Sequence, residues 1–254
     1  MTNPRELLAE ASEDATVVPL FVHAHPDDET VQTGSLMAWL AANKVEVQLL
    51  TCTRGEQGEI VAGVLPESTT AGELVRVRED ELARAAQTLG ITAAYVLGTP
   101  PARAVGHQRR DYHDSGMRWI AEGLAGPAEI DDPQTFTASS LDDEVADLLA
   151  LIDRIRPSVL VGYDRLGSYG HPDHVRAHEL ADEAAQAAGL PLVEVASEPG
   201  ADGFEWFDLS DQRSTVVAAL RCHATQLSVV DGRIVHVGGQ HQELPLSAGL
   251  RRIR

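Results

Sequence analysis

The sequence predicts an α/β protein with a Rossmann-like three-layer fold, a mostly parallel sheet and a C-terminal β-hairpin. Short apolar runs rich in β-branched residues alternate with longer amphipathic segments along the 254 residues, which is typical of a parallel sheet covered by helices. An Asp-Gly pair at 231–232, between two apolar stretches, predicts the hairpin. The length suits one large domain, and we expect residues 1–254 to form it.

Four strands and four helices are predicted to alternate along most of the chain. The strands are expected at 17–22, 46–51, 94–97 and 158–163. The helices are expected at 30–43, 73–89, 141–155 and 175–188. A last helix is expected at 211–224, before the hairpin at 228–237. Residues 98–140 hold many Gly and Pro residues with little periodicity, so we expect a long irregular segment that walls a crevice.

Composition excludes several classes of partner. Twenty basic and 39 acidic residues give a formal net charge of −19, whereas a nucleic acid or an anionic membrane requires a basic face. The two cysteines, Cys52 and Cys222, have no CxxC spacing and suit a reducing compartment. We find no signal peptide pattern and no apolar run long enough to span a membrane. We therefore expect a cytoplasmic protein.

The first candidate site follows the first predicted strand, where His25-Pro26-Asp27-Asp28-Glu29 begins a helix. Ligands of open α/β sheets bind at the carboxyl ends of strands, which places this run at the rim of a crevice. A Pro-Asp-Asp-Glu run can also serve only as a helix cap. However, His25 contributes nothing to a cap, and Asp28 lies close enough along the chain to share one ion with it.

The second candidate site repeats this pattern between the fourth strand and the fourth helix, where His171-Pro172-Asp173-His174 follows a glycine-rich loop. Two such junctions on one rim predict a metal centre. A catalytic zinc takes three His or carboxylate ligands and keeps one position open. His25 and Asp28 are two candidates, and either His171 or His174 completes the set. We favour His174 because it lies at the start of the helix. Asp27 then lies beside the metal, where a general base is needed.

These residues carry a resemblance to a known family. The run His23-Ala24-His25-Pro26-Asp27-Asp28-Glu29 together with Gly170-His171-Pro172-Asp173-His174 resembles the LmbE-like, or PIG-L, family of zinc-dependent N-acetylglucosaminide deacetylases. Further segments are similar to the branch that deacetylates the GlcNAc-inositol precursor of mycothiol. They are 51–59, Arg78 with Glu81-Leu82, 114–117 and 219–226.

The resemblance implies a role for each matching residue. It implies one Zn²⁺ per chain, with Fe²⁺ as the alternative metal, held by three ligands: His25, Asp28 and His174. It implies four residues that act on the reaction: Asp27 as general base, Asp173 orienting a catalytic histidine, Tyr169 polarising the acetyl carbonyl, and His171 stabilising the oxyanion or protonating the leaving amine. Arg78 and Asp114 match positions that hold sugar or inositol hydroxyls.

We therefore expect a hydrolase that removes the N-acetyl group from a small GlcNAc-containing substrate, in a monomer or a homo-oligomer. Alternatives are a deacetylase or amidase of the same family acting on another GlcNAc conjugate or amide, and a metal- or sugar-binding module without activity. The related amidases of mycothiol conjugates carry a lysine where this chain has Thr30-Val31-Gln32-Thr33, which disfavours that activity. A magnesium-dependent phosphoryl hydrolase or a glycosidase would use Asp27 and Asp28 as paired carboxylates.

Overall fold

The computed structural model describes residues 3–9, 16–129 and 131–253. The helices in these ranges are α1 (Pro4–Leu8), α2 (Asp28–Ala42), α3 (Ala71–Leu89), α4 (Leu141–Ile155), α5 (Pro172–Ala188) and α6 (Arg213–Leu220). The first strands are β1 (Pro19–His23), β2 (Gln48–Thr51), β3 (Ala93–Val96), β4 (Met117–Ala121), β5 (Leu124–Pro127) and β6 (Val159–Tyr163). The later strands are β7 (Leu192–Val195), β8 (Glu205–Asp208), β9 (Leu227–Val230), β10 (Arg233–His236), β11 (His241–Glu243) and β12 (Ser247–Arg252).

The central sheet has seven strands in the order β3-β2-β1-β6-β7-β12-β8. Strands β3, β2, β1, β6 and β7 are parallel to one another, and β12 is antiparallel to both of its neighbours. Phe21 of β1 pairs with Leu49 of β2 on one side and with Val161 of β6 on the other. This confirms the predicted mostly parallel α/β fold.

Alternate side chains of the central strands enter two separate cores. Phe21 packs with Leu40 of α2 and Leu82 of α3 on one face of the sheet. Leu20, next to it in β1, packs with Leu151 of α4 and Leu180 of α5 on the other face. Because successive residues of a strand point to opposite faces, a run buried on both sides is continuously apolar. The three layers predicted from this pattern are therefore present.

Several predicted boundaries were wrong. Residues 98–140 are not wholly irregular, because β4 and β5 form an antiparallel hairpin within them. The helix expected at 211–224 is shorter, since α6 ends at Leu220, and beyond it His223 contacts Glu29 of α2 and Thr225 contacts Glu81 of α3. The hairpin at Asp231-Gly232 is confirmed as β9 and β10, and β11 adds a third strand to it. In the described ranges no helix is both long and apolar enough to cross a membrane.

The order in which successive strands are added to the sheet reverses between β1 and β6, although the two strands are parallel. After β1 the chain adds β2 and β3 on one side, and it later returns to add β6 and β7 on the other side. Neighbouring loops therefore leave β1 and β6 in opposite directions and open a crevice at the carboxyl ends of these strands. Both His-Pro-Asp segments follow these two strands.

Candidate metal centre

The turn after β1 brings His25 and Asp28 together. The His25 backbone N–H donates to Asp28 Oδ2 at 2.8 Å, and the His25 Nδ1 atom lies 3.1 Å from the same oxygen. Asp28 is the first residue of α2, so its carboxylate also lies at the positive end of that helix. Both side chains are buried. The sequence prediction that these two residues converge is therefore satisfied by the local turn.

Asp27 occupies the cap position of α2 without acting as a cap. Its side chain makes no capping hydrogen bond among the described residues, although the position is the one where aspartate usually makes it. Its backbone has φ 107° and ψ −30°, a conformation that side-chain-bearing residues rarely adopt and that costs about 1–3 kcal/mol. Asp27 is also only partly buried, unlike Asp28 and Glu29. The carboxylate of Asp27 is therefore free for chemistry rather than committed to the helix.

His171 and His174 are positioned by the start of α5. His171 is the cap residue, and its Nδ1 atom accepts a hydrogen bond from the Asp173 backbone N–H at 3.1 Å. A neutral imidazole with an accepting Nδ1 carries its proton on Nε2, so His171 presents an N–H donor from that atom. His174 lies three residues farther along the chain, in the first turn of α5, and is fully buried.

The two turns meet around Asp28. His25 Nδ1 lies 3.1 Å from Asp28 Oδ2, and His174 Nε2 lies 3.3 Å from Asp28 Oδ1. On the other side of the His25 ring, Nε2 lies 3.1 Å from Asp173 Oδ2. Residues almost 150 positions apart in the chain thus share one buried cluster.

This cluster fits a metal ion. Within the described part of the chain, neither ring nitrogen of His174 nor Asp173 Oδ1 has a hydrogen-bond partner, although all three atoms are buried. Buried polar atoms without partners are costly, and a coordinated ion is one explanation for them. Single donor atoms of His25, His171 and His174 lie within 4.8 Å of one another, as do those of His25, Asp114 and Asp173. Imidazole and carboxylate donors without thiolate suit zinc or iron(II).

The pKa shifts report a strongly negative site. Burial and the neighbouring Asp28 raise the pKa of Asp27 to about 7. Burial alone would lower the pKa of His25, but Asp114, Asp173 and Asp28 outweigh it and raise that pKa well above its ordinary value. Burial would raise the pKa of Asp28, but His174 and His25 hold it well below its usual range. A divalent cation would neutralise this excess of carboxylate charge.

Tyr169 and Trp119 form an aromatic rim beside the histidines. The Tyr169 ring centroid lies 5.3 Å from that of His174 and 6.0 Å from that of His171. Trp119, in the β4–β5 hairpin, lies 5.5 Å from Tyr169, and the hairpin is fixed to this loop by a hydrogen bond from Ala125 N–H to the Tyr169 carbonyl. Tyr169 is 37% exposed, so its hydroxyl-bearing ring is reachable from solvent.

The two predicted substrate contacts differ in their surroundings. Asp114 borders the cluster, with Oδ1 3.7 Å from His25 Nε2. Arg78 is buried in α3, and its guanidinium donates to the carbonyls of Gly55, Gly58 and Glu59. Arg78 thus holds the loop that follows β2. A contact of either side chain with a sugar stays a prediction.

Glu56, in the loop held by Arg78, contacts Asp114 at the border of the cluster. Its Oε2 accepts a hydrogen bond from the Asp114 backbone N–H at 3.0 Å. It also lines a cavity of about 590 Å³ together with polar residues of the loop, of α3 and of the 98–140 segment: Arg54, Gln57, Arg76, Glu79, Arg109, Asp111 and His113. The sequence places Glu56 on the correct rim but gives no sign of its contact with Asp114.

Two histidines that the sequence assigned only to core or surface are buried and hydrogen-bonded in the structure. His23 is buried between Tyr163 and Thr33, with Nε2 2.8 Å from Thr33 Oγ1. His223 is fully buried and lies 2.8 Å from Glu29 Oε1. Among the described residues, the groups that could hold a metal ion include neither histidine, but His223 contacts the first His-Pro-Asp turn through Glu29.

Comparison with known proteins places this geometry in a family. The family model described as PIG-L, GlcNAc-PI de-N-acetylase, matches residues 20–185. The chain is 36% identical over 244 residues to the 1D-myo-inositol 2-acetamido-2-deoxy-alpha-D-glucopyranoside deacetylase of Actinosynnema mirum, covering 83% of this chain and 81% of that relative. The matched region contains both His-Pro-Asp turns.

Solved structures with low sequence identity share the fold. The N,N'-diacetylchitobiose deacetylase of Pyrococcus horikoshii superimposes with a TM-score of 0.58 and 21% identity, covering 83% of this chain and 70% of that one. The 4-carboxy-2-hydroxymuconate hydratase GalB of Pseudomonas putida KT2440 superimposes with a TM-score of 0.57 and 20% identity, covering 94% of this chain and 96% of that one. One fold therefore carries a deacetylase and a hydratase, and the reaction has to be argued from the site.

Proposed function

Because this chain belongs to the PIG-L family, we propose that it is a metal-dependent deacetylase that hydrolyses the N-acetyl group of a GlcNAc-inositol substrate in mycothiol biosynthesis. The observation that carries this proposal is the convergence of two His-Pro-Asp turns on one buried cluster whose His174 nitrogens have no hydrogen-bond partner among the described residues. A metal-dependent amide hydrolase combines such a centre with a carboxylate that can act as general base, and Asp27 is proposed to supply that carboxylate.

The proposed metal is zinc, and its proposed ligands are His25, Asp28 and His174. Asp28 supports this choice because it lies between the two imidazoles, at 3.1 Å from one and 3.3 Å from the other. When bound, zinc lowers the pKa of a coordinated water and polarises a carbonyl oxygen. His171 is the alternative third ligand. However, its Nδ1 atom accepts the Asp173 N–H, so its Nε2 atom carries the proton and has no lone pair for a metal. Iron(II) is compatible with the same donors.

The residues around the ligands each have a proposed task. Asp27 accepts a proton from the attacking water and can return it to the leaving amine, since its carboxylate makes no capping hydrogen bond to the helix. His171 donates its Nε2–H to the oxygen that becomes negative, because its Nδ1 is occupied as an acceptor. Tyr169 supplies a second donor from the rim. Asp173 orients two imidazoles: its carboxylate contacts His25 Nε2, and its backbone N–H donates to His171 Nδ1.

The substrate side of the site is proposed to combine Asp114, Arg78 and the adjoining cavity. Asp114 is close enough to the cluster to accept a sugar hydroxyl, and Glu56 connects it to the cavity. The cavity has acidic and basic side chains in equal number, which suits a neutral polyol such as inositol better than an anion. A cytoplasmic location, a single domain over 1–254 and assembly into a homo-oligomer stay predictions.

Release of free amine from a panel of GlcNAc conjugates tests this function. The panel contains GlcNAc-inositol, free GlcNAc, N,N'-diacetylchitobiose and an S-conjugate of mycothiol. We expect GlcNAc-inositol to be deacetylated with the highest kcat/KM, and Asp27→Asn to bind metal but lose about 10²- to 10⁴-fold of the rate. Preference for another member of the panel would agree with the proposed deacetylation but would assign a different substrate. A metal-loaded protein that releases no amine from any member would overturn the proposal.

A further inference from the structure

One buried network outside the metal cluster is directed at the proposed general base. Behind the first His-Pro-Asp turn, Glu29 and His223 form a fully buried pair whose atoms Oε1 and Nε2 lie 2.8 Å apart. The two residues are 194 positions apart in the chain. His223 belongs to the segment 219–226, whose resemblance to the family gave no role for any of its residues. The reaction as described uses neither side chain.

The two oxygens of Glu29 have different partners. Oε2 accepts the backbone N–H of Asp27 at 2.9 Å. Oε1 faces His223 Nε2 and also accepts the Thr30 hydroxyl at 2.5 Å. Gln226 lies on the other side of the His223 ring, with Nε2 3.4 Å from Nδ1. His223 therefore fixes one end of a carboxylate whose other end holds the backbone of Asp27.

The backbone of Asp27 needs such support because its conformation is strained. At φ 107° it lies outside the regions that a residue with a side chain normally occupies. Its carbonyl accepts the N–H groups of Thr30 and Val31 in the first turn of α2. Its N–H is held by Glu29. If the Glu29 carboxylate rotates, the peptide of Asp27 can relax towards an ordinary conformation, and the Asp27 carboxylate then loses the position that the strained backbone gives it.

We propose that His223, acting through Glu29, is a positioning residue that holds Asp27 in its catalytic conformation. This inference rests on the proposed role of Asp27. It predicts that loss of His223 lowers the rate of the chemical step and leaves substrate binding and metal binding intact. A purely structural pair would instead affect only the stability of the fold.

The test compares three variants at positions behind the turn. His223→Leu removes the donor to Glu29 and keeps the buried volume similar. His223→Gln keeps a side-chain N–H in nearly the same place. Thr225→Val is the matched control, because Thr225 is equally buried in the same loop but its N–H and hydroxyl donate to Glu81 at 2.9 and 2.6 Å, not to Glu29.

We expect His223→Leu to lower kcat about 10- to 100-fold, as loss of a supporting residue around a catalytic group usually does, while KM and the metal content per chain stay unchanged. His223→Gln should recover most of the lost rate. Thr225→Val should lower the thermal midpoint but keep the wild-type kcat. If His223→Leu does not fold, Glu29→Gln replaces it, because it retains an oxygen for Asp27 N–H and loses the charge opposite His223.

Two results would overturn the inference. One is a folded, metal-loaded His223→Leu with the wild-type kcat. The other is an equal loss of kcat in Thr225→Val, because the effect would then belong to the loop and not to Glu29. Asp27→Asn distinguishes this failure from failure of the proposed function. If Asp27→Asn is inactive while His223→Leu is fully active, only the positioning role is wrong.

Discussion

The Nε2 atom of His174 lies 3.3 Å from Asp28 Oδ1, yet the two atoms do not form a hydrogen bond. An N–H aimed at the carboxylate would be the ordinary arrangement for a buried histidine beside an aspartate. Two ligands that each lie about 2 Å from one zinc ion are separated by about this distance, so the pair is compatible with a shared cation. Such a cation would also give the buried His174 Nε2 atom the partner that it lacks among the described residues.

Replacement of His174 tests this view through stability. His174→Leu removes two buried nitrogens that have no hydrogen-bond partner in the described structure, but it also removes an imidazole that helps to keep the pKa of Asp28 low. We expect the two effects to offset each other, so the free energy of unfolding of the metal-free protein should stay within about 1 kcal/mol of the wild type. The same variant should lose zinc binding and the stabilisation that excess zinc gives, which reaches about 4 kcal/mol at a thousandfold excess over Kd. Thermal unfolding with and without zinc measures both effects.

His178→Leu is the matched control for that substitution. His178 is buried one turn farther along α5, and its Nδ1–H donates to the Tyr163 carbonyl at 2.9 Å. Its replacement removes this buried hydrogen bond, so we expect a loss of about 0.5–1.5 kcal/mol in the free energy of unfolding, with zinc binding retained. Equal destabilisation by both variants would show that His174 has an ordinary structural partner.

The raised pKa of Asp27 predicts a pH-dependent stability of the metal-free protein. The pKa is raised to about 7 in the folded state by burial and by Asp28, whereas an unfolded aspartate titrates near pH 4. A group whose pKa is higher in the folded state binds its proton more tightly there. The free energy of unfolding should therefore fall as pH rises from about 4 to about 7, by at most about 1.4 kcal/mol per pH unit.

Asp27→Asn removes this titration. In the presence of chelator, the variant should be more stable than the wild type at pH 8, and the two should converge near pH 4. Denaturant unfolding at a series of pH values measures the difference. Curves that stay parallel from pH 4 to pH 8 would show that Asp27 titrates normally, and its role as a base would then lack this support.

Arg78 offers a prediction that separates a loop contact from a substrate contact. Its guanidinium donates to three carbonyls of residues 55–59, so Arg78→Met should speed hydrogen exchange of the amides in this loop and raise KM. Arg84→Met, which removes an exposed positive charge from the same helix outside the cavity lining, is the control for loss of charge. If Arg78→Met raises KM without any change in exchange at 55–59, Arg78 contacts the substrate directly.

Local patterns predicted the elements that surround the site. The continuous apolar run before His25 predicts a strand buried on both faces, and β1 is buried at every position. The helix expected at 141–155 has the observed bounds of α4. Both His-Pro-Asp turns lie at strand-to-helix junctions, so fold class and ligand types together indicated the metal centre.

Elements and contacts that depend on distant residues were missed. In β12, Gly249 lies so close beneath the Trp206 ring that a Cβ atom would come within 2.6 Å of it, so this strand is specified by tertiary fit and not by alternating hydrophobicity. The pair formed by Glu29 and His223 joins residues 194 positions apart. The sequence shows both residues but cannot show that they meet.

A single metal ion held by His25, Asp28 and His174 is proposed to support amide hydrolysis. Titration of zinc into the chelated protein, with acetate release from GlcNAc-inositol followed at each addition, tests it most directly. We expect no acetate release from the chelated protein and a rise in the rate of release that ends at one zinc per chain. His174→Leu should release no acetate at any zinc concentration. Full activity of the chelated protein, or of zinc-treated His174→Leu, would contradict the claim.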